Sequence, residues 1–204
     1  SGDTIHVRGG TYTLTAPVEV WRGGSLGYPL IIRPYLKEKV IFNGSNIFSS
    51  FPHIFGIGSS HIVIDGFDIG SSRDGCIDIW ANSDAGAIEN VVIRNNVIHD
   101  CFKAGIFMGH ALYQDTTGVR NIVIANNTLY HNVQENKARN SNFGWSPVLG
   151  ILYSQDVLIY GNHVYENYGE GIDIIRSRRA NVIRNMVHDN FSVNLYIDGG
   201  TETR

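Results

Sequence analysis

Apolar and polar residues alternate in short runs along this chain, and the same run keeps returning. His61-Ile62-Val63-Ile64-Asp65-Gly66-Phe67-Asp68-Ile69 superposes position by position on residues 90–98, 121–129, 156–164 and 179–187. Each segment reads as a strand, a turn and a second short strand with one face buried. A further strand follows each: Cys76-Ile77-Asp78-Ile79, Gly105-Ile106-Phe107-Met108, Gly150-Ile151-Leu152-Tyr153, Gly171-Ile172-Asp173-Ile174 and Asn194-Leu195-Tyr196-Ile197. From the turn positions 67, 96, 162 and 185 to the first apolar residue of that strand, at 77, 106, 172 and 195, the distance is always ten. In the remaining coil, 127 to 151 is 24, an insertion of 14. With the apolar positions inward, the outward column of this strand set is Asp78, Phe107, Leu152, Asp173 and Tyr196.

A repeat of this length defines a solenoid. The shortest coil, from Asn162 to Asn185, is 23 residues, enough for three short strands and three turns. No segment shows a 3.6-residue period, so the fold expected is all-β: a parallel β-helix of about seven coils and three parallel sheets. At ~4.8 Å per coil the stack is about 30–35 Å long. Earlier strands are read at Thr4-Ile5-His6-Val7, Val18-Glu19-Val20, Pro29-Leu30-Ile31-Ile32, Val40-Ile41-Phe42 and Ile54-Phe55-Gly56-Ile57. Two asparagine columns run through the register: Asn96, Asn127, Asn162, Asn185, and Asn132, Asn167, Asn190. Asparagine tolerates the left-handed conformation, and its amide pairs with the same amide one coil away. These columns are read as structural ladders rather than catalytic residues.

Composition narrows the picture. Of 204 residues, 43% are hydrophobic and 17% charged, the balance of a packed protein. Glycine is abundant (23) and proline scarce (5), as tight turns between strands require. The formal net charge is −3 and no Lys/Arg block stands out, which argues against a nucleic-acid partner. No apolar run reaches the ~18 residues of a membrane span. Cys76 and Cys101 fall at different points of neighbouring turns, which favours two small buried thiols over a disulfide. The chain opens at Ser1-Gly2-Asp3 without an initiator methionine, so a processed or excerpted chain is expected. Residues 1–204 are read as one β-helix domain, part of a longer solenoid or capped by a partner, because bare coil ends expose strand edges open to association.

The opening Gly2-Asp3-Thr4-Ile5-His6-Val7-Arg8-Gly9-Gly10-Thr11-Tyr12 resembles the first coil of the pectate-lyase-like superfamily. The asparagine turns and Gly-Ile-Asp-Ile strands resemble its right-handed parallel β-helix, most closely that of family-nine pectate lyases. The resemblance covers nearly the whole chain. It implies a carbohydrate-active protein, secreted or at the cell surface. The catalytic sets of polygalacturonases, mannuronan epimerases and the alginate and chondroitin lyases are absent. In that superfamily the asparagine turn follows the second sheet, so the Gly-Ile-Asp-Ile strands form the first sheet, which carries the substrate groove.

The residues themselves agree, because the long insertions, 134–147 and 109–120, flank that sheet. Around it converge acids, bases and aromatics suited to an acidic polysaccharide, so a polysaccharide lyase acting by β-elimination is the leading reading. Lys103 is the preferred base, on the premise that neighbouring cations ease its deprotonation. Arg176, with Arg178 second, is expected to hold the uronate carboxylate bidentately. His110 is a second acid/base candidate. Asp78, Trp80, Phe107, Asp173, Arg178 and Tyr196 are the expected substrate contacts. Asp74 and Asp78, with Asp65 or Asp68, offer oxygen ligands for calcium. Against these stands the plainer reading of turn lysines and surface acids. Asp78 and Asp173 lie three coils apart, roughly 14 Å, too far for the paired carboxylates of a glycosidase. His99, Tyr130, Tyr165 and His188 align on the third sheet, most simply as rings stacked on one another. The rival function is a non-catalytic carbohydrate-binding, adhesive or structural module.

Overall fold

The computed structural model describes residues 2–81, 86–110, 118–140 and 145–204. They form three parallel sheets of seven strands each. Every strand pairs with the equivalent strand one coil away, so the chain winds through sheet A, then B, then C, and repeats. Sheet A runs from Thr4–Val7 through Ile62–Asp65 and Val119–Ala125 to Arg178–Ile183. Sheet B includes Asp68–Gly70, Val97–His99 and His163–Tyr165. Sheet C, made of the Gly-Ile-Asp-Ile strands, holds Val18–Val20, Phe55–Ile57, Ile77–Ala81, Ile106–His110, Pro147–Leu152, Glu170–Ile175 and Leu195–Asp198. The described residues contain two short 3₁₀ turns and no α-helix. This is the parallel β-helix expected from the repeat.

Stacked isoleucines fill the interior. Ile62, Ile64, Ile77, Ile79, Ile93, Ile106, Ile124, Ile172 and Ile174 are fully buried, as period-2 alternation around a closed coil requires. The corners between strands carry the left-handed residues. Gly66, Asn95, Asn126, Gly161 and Arg184 have φ between 54° and 87°, each one place before the ladder position. The ladder asparagines themselves are therefore not the left-handed residues; they follow them. Their amides do the stacking: Asn96 Nδ2 donates to Asn127 Oδ1, Asn127 to Asn162 and Asn162 to Asn185, at 3.0–3.1 Å. Each amide also donates to a backbone carbonyl, Asn127 to that of Ile93. The second ladder links Asn132 to Asn167 and Asn167 to Asn190.

Two expectations are corrected. The coil with the long insertion enters sheet C two residues earlier than read: Ile106 pairs with Leu149 and Phe107 with Gly150. The outward column is thus Asp78, Phe107, Gly150, Asp173 and Tyr196, with Leu152 one outward step further along its strand. A run of apolar residues from Val148 to Leu152 accommodates either register, because a shift of two preserves which side chains point inward. Cys76 and Cys101 form a disulfide rather than two free thiols. One side chain enters the core at the end of a turn and the other at the start of the turn one coil later. Their Cα atoms are diagonal neighbours 5.6 Å apart, within disulfide reach.

Candidate functional site

The turn from sheet B into sheet C builds the site. In one coil it carries Asp74, in the next Lys103, and Lys103 N–H donates to the Asp74 carbonyl. The Cys76–Cys101 disulfide joins these same two turns, two residues from each functional side chain. The insertion of the following coil closes one side: Val133 N–H donates to the Lys103 carbonyl, and Glu135 N–H to that of Phe102. Ser146 Oγ donates to Glu135 at 2.6 Å. The result is a cleft of about 270 Å³ lined by Asp74, Asp78, Lys103, Phe107, Ser146 and Pro147. Gly75 and Ala104 keep its floor low; a Cβ on Gly75 would come within 2.7 Å of Asp78 Oδ1.

Lys103 Nζ lies 2.8 Å from Asp74 Oδ1. That carboxylate, aided by Glu135 and Asp78, holds the ammonium above the ordinary lysine range. The premise of neighbouring cations is therefore reversed, and Lys103 as it stands is a cation. Beside it, His53 is 8% exposed and lies between two carboxylates, 3.0 Å from Glu19 and 3.4 Å from Asp78. Burial would lower its pKa, but Asp78 and Glu19 outweigh that and raise it.

The expected site residues separate into those brought together and those not. Asp74, Asp78, Lys103 and Phe107 share the cleft, and Trp80 stands one outward position beyond Asp78, its ring 6.1 Å from that of Phe107. Arg176 lies elsewhere. It follows the strand Glu170–Ile175, two coils on and at the opposite edge of sheet C, against the Tyr153 ring. Arg178 belongs to sheet A and pairs with Glu202. Neither lines the cleft. Asp65 and Asp68 are engaged on sheets A and B by Arg94 and by His99 and Lys39, which removes them from any calcium set with Asp74. Asp173 is in the outward column but 1% exposed, so it is not a surface contact. Burial and the adjacent Glu170 push its pKa up to about 9. Tyr196 is exposed three coils from Phe107. His110 ends its strand opposite Ala81, and its side chain lies outside the described portion, as do residues 111–117 of its insertion.

Glu19, His53 and Glu135 were missed. Glu19 follows from continuing the outward positions of sheet C back to its first strand, Val18–Val20, whereas His53 precedes the strand Phe55–Ile57 and falls on none of its outward positions. Glu135 gave no signal, since it lies in an insertion outside the repeat. For calcium, Asp74 and Asp78 supply two carboxylates of the oxygen type the ion prefers, with Glu135 nearby. Three carboxylates against one ammonium make the cleft anionic, so an anionic ligand would need a cation to accompany it. Among the described residues there is no cluster of three or more histidine, cysteine, aspartate or glutamate side chains that could hold a metal ion.

The fold is shared with known lyases. A rhamnogalacturonan lyase superposes with a TM-score of 0.73 at 16% identity, over 98% of this chain and 54% of that one. The pectate lyase Pel9A superposes at 0.69 and 13% identity, over 93% and 46%. Pectate lyase PEL9 of Emericella nidulans is 38% identical over 47 residues, 23% of this chain and 12% of that protein. The chain thus spans about half the length of the two lyase structures. The family model described as "Pel9A-like, right handed beta helix region" matches residues 1–200, and the chain belongs to that family.

Proposed function

We propose that this chain is the β-helix of a polysaccharide lyase that cleaves a uronate-containing glycan by β-elimination in the sheet C cleft. The observation that carries the reading is the convergence of Asp74, Asp78 and Lys103 on one cleft beside Phe107. Elimination needs the uronate carboxylate neutralised, the C5 proton removed and the leaving oxygen assisted. Calcium held by Asp74 and Asp78 would supply the positive charge that neutralises the uronate. Lys103 takes the C5 proton on Nζ. That role requires Asp74 to be drawn off, because the paired ammonium stays protonated. Phe107 supports the sugar ring. A secreted or cell-surface location is part of the proposal, and the Cys76–Cys101 disulfide supports an oxidising compartment.

The test is the ultraviolet absorbance of the unsaturated product on incubation with pectate, alginate and glycosaminoglycans, with calcium and with a chelator. Product is expected on one uronate polymer, lost with chelator, and reduced about 10³-fold in Lys103→Ala. No unsaturated product on any uronate polymer would sink the lyase reading. The second reading, a binding module without turnover, is favoured by the closed Lys103–Asp74 pair. It predicts retention of a uronate polymer on the protein with no product formed.

A further inference from the structure

We infer that the outer face of sheet B holds a copper(II) site, with the imidazoles of His163 and His188 as its two nitrogen ligands and the Met186 thioether as a third, weaker donor. The inference is independent of the uronate reading, since none of these residues lines the cleft. The strands His163–Tyr165 and Met186–His188 pair in register, His163 beside Met186 and Tyr165 beside His188. Val164 and Val187 pack into the core, so the four flanking side chains leave the outer face together. His163 Nε2 and His188 Nε2 meet across the diagonal at 2.9 Å. Tyr165 lies against both rings, its centroid 4.3 Å from that of His163 and 5.6 Å from that of His188, at 28° and 14° between planes. Met186, 60% exposed, stands next to His163 and two places before His188.

The tautomers follow from the partners. Asp189 Oδ2 lies 2.7 Å from His188 Nδ1. A carboxylate only accepts, so His188 Nδ1 carries hydrogen, and in its neutral form His188 presents a bare Nε2 lone pair. The 2.9 Å contact is then a hydrogen bond that His163 Nε2 donates. A metal ion between the rings takes both Nε2 lone pairs, and His163 carries its hydrogen on Nδ1 instead. Asp189 stands where a carboxylate commonly orients a ligating imidazole. His99, at the other end of the same ring stack, makes the contrast. Its two nitrogens face carboxylates, Asp68 at 2.9 Å and Asp100 at 2.7 Å, and not a second imidazole.

The spacing selects the metal. With metal–nitrogen bonds of ~2.0–2.1 Å, nitrogens 2.9 Å apart subtend about 90° at the ion. A tetrahedral zinc ion would hold them about 3.3 Å apart. A right angle suits tetragonal copper(II) or nickel(II), and copper binds the tighter of the two. The thioether adds to that preference, because soft sulfur favours copper and commonly serves it as a weak axial ligand. Water would fill the remaining positions on this exposed face.

The test titrates the intact chain with Cu²⁺, Ni²⁺ or Zn²⁺, reading affinity by calorimetry and the copper ligands by electron paramagnetic resonance. One copper per chain is expected, held roughly tenfold or more tighter than nickel or zinc, with splitting from two nitrogens. His163→Ala and His188→Ala should each weaken copper about 100-fold and Asp189→Asn about tenfold, while His6→Ala changes nothing. Reduction with ascorbate reads the thioether: Met186→Leu should release copper(I) about tenfold faster than the parent chain. Circular dichroism and melting report folding, and Asp189→Asn, an exposed change, keeps the site testable where a histidine variant fails to fold. Zinc held as tightly as copper, a copper spectrum without nitrogen splitting, or an affinity indifferent to Asp189→Asn overturns the inference. So does copper held equally by the double variant His163→Ala with His188→Ala, which would mark it as adventitious. Release of copper(I) unchanged in Met186→Leu overturns the thioether's part.

Discussion

At the scale of single residues, the asparagine ladder and the buried carboxyl pair make opposite demands on the interior. Asn127 is 1% exposed, and its amide receives the Asn96 N–H and Nδ2 while donating to the Ile93 carbonyl and to Asn162. Truncation deprives the Asn96 N–H and the Ile93 carbonyl of that buried partner and breaks the amide stack, so Asn127→Ala should cost about 3–4 kcal/mol in chemical denaturation. Asn127→Asp should not rescue it, because a carboxylate cannot donate. Asp173 is the less satisfied group: its Oδ1 is buried without a hydrogen-bond partner. Unfolded, this carboxyl ionises near 3.8; folded, it keeps its proton up to about 9. Between those values the folded state binds the extra proton, so stability falls as pH rises from about 4 to about 9. Asp173→Asn should flatten that slope and raise Tm by roughly several degrees at pH 8, with little effect at pH 4. An unchanged pH slope in the variant would show that Asp173 is already ionised in the fold.

At the scale of elements, the turn from sheet B to sheet C unites stability and site. The disulfide closes a loop of 25 residues by sequence separation and joins the turns of Asp74 and Lys103. Loop closure of that size is worth about 3 kcal/mol. Cys76→Ser with Cys101→Ser should therefore lower Tm by roughly 6–12 °C. It should also weaken uronate binding at temperatures where the variant is still folded, because the Asp74–Lys103 spacing is no longer tied. Full retention of binding would separate the disulfide from the site. The pairing was not legible in the sequence, since aligned coils show partners directly above one another and this bond runs diagonally. Most strands, the ladders and the group Asp74, Asp78, Lys103 and Phe107 were legible, because they occupy fixed places in the repeat; the strand Gly10–Thr13 was not read, and Pro147–Leu152 was read two residues late. Arg176 and Arg178 misled for the same reason: position after a sheet C strand was read as proximity to the groove. The chain turns a corner there, and Arg178 already belongs to sheet A.

At the scale of the whole molecule, a solenoid divides its stability among neighbouring coils, so a residue's worth depends on how many coils cover it. Ile174 is fully buried, paired with Ile151 in the coil before it and with Ile197 in the coil after it. Ile174→Ala opens a cavity between packed layers and should cost about 3–4 kcal/mol. Phe102 lies in the turn from sheet B to sheet C and is 43% exposed. Phe102→Ala removes a side chain that half faces solvent and should cost about 1 kcal/mol or less. Denaturation of the two variants tests the point. Equal costs would mean that the inward columns hold no larger share of the stability than the turns. A clear difference would show that the turn carrying Asp74 and Lys103 is held in shape by the stacked inward columns beneath it rather than by its own surface.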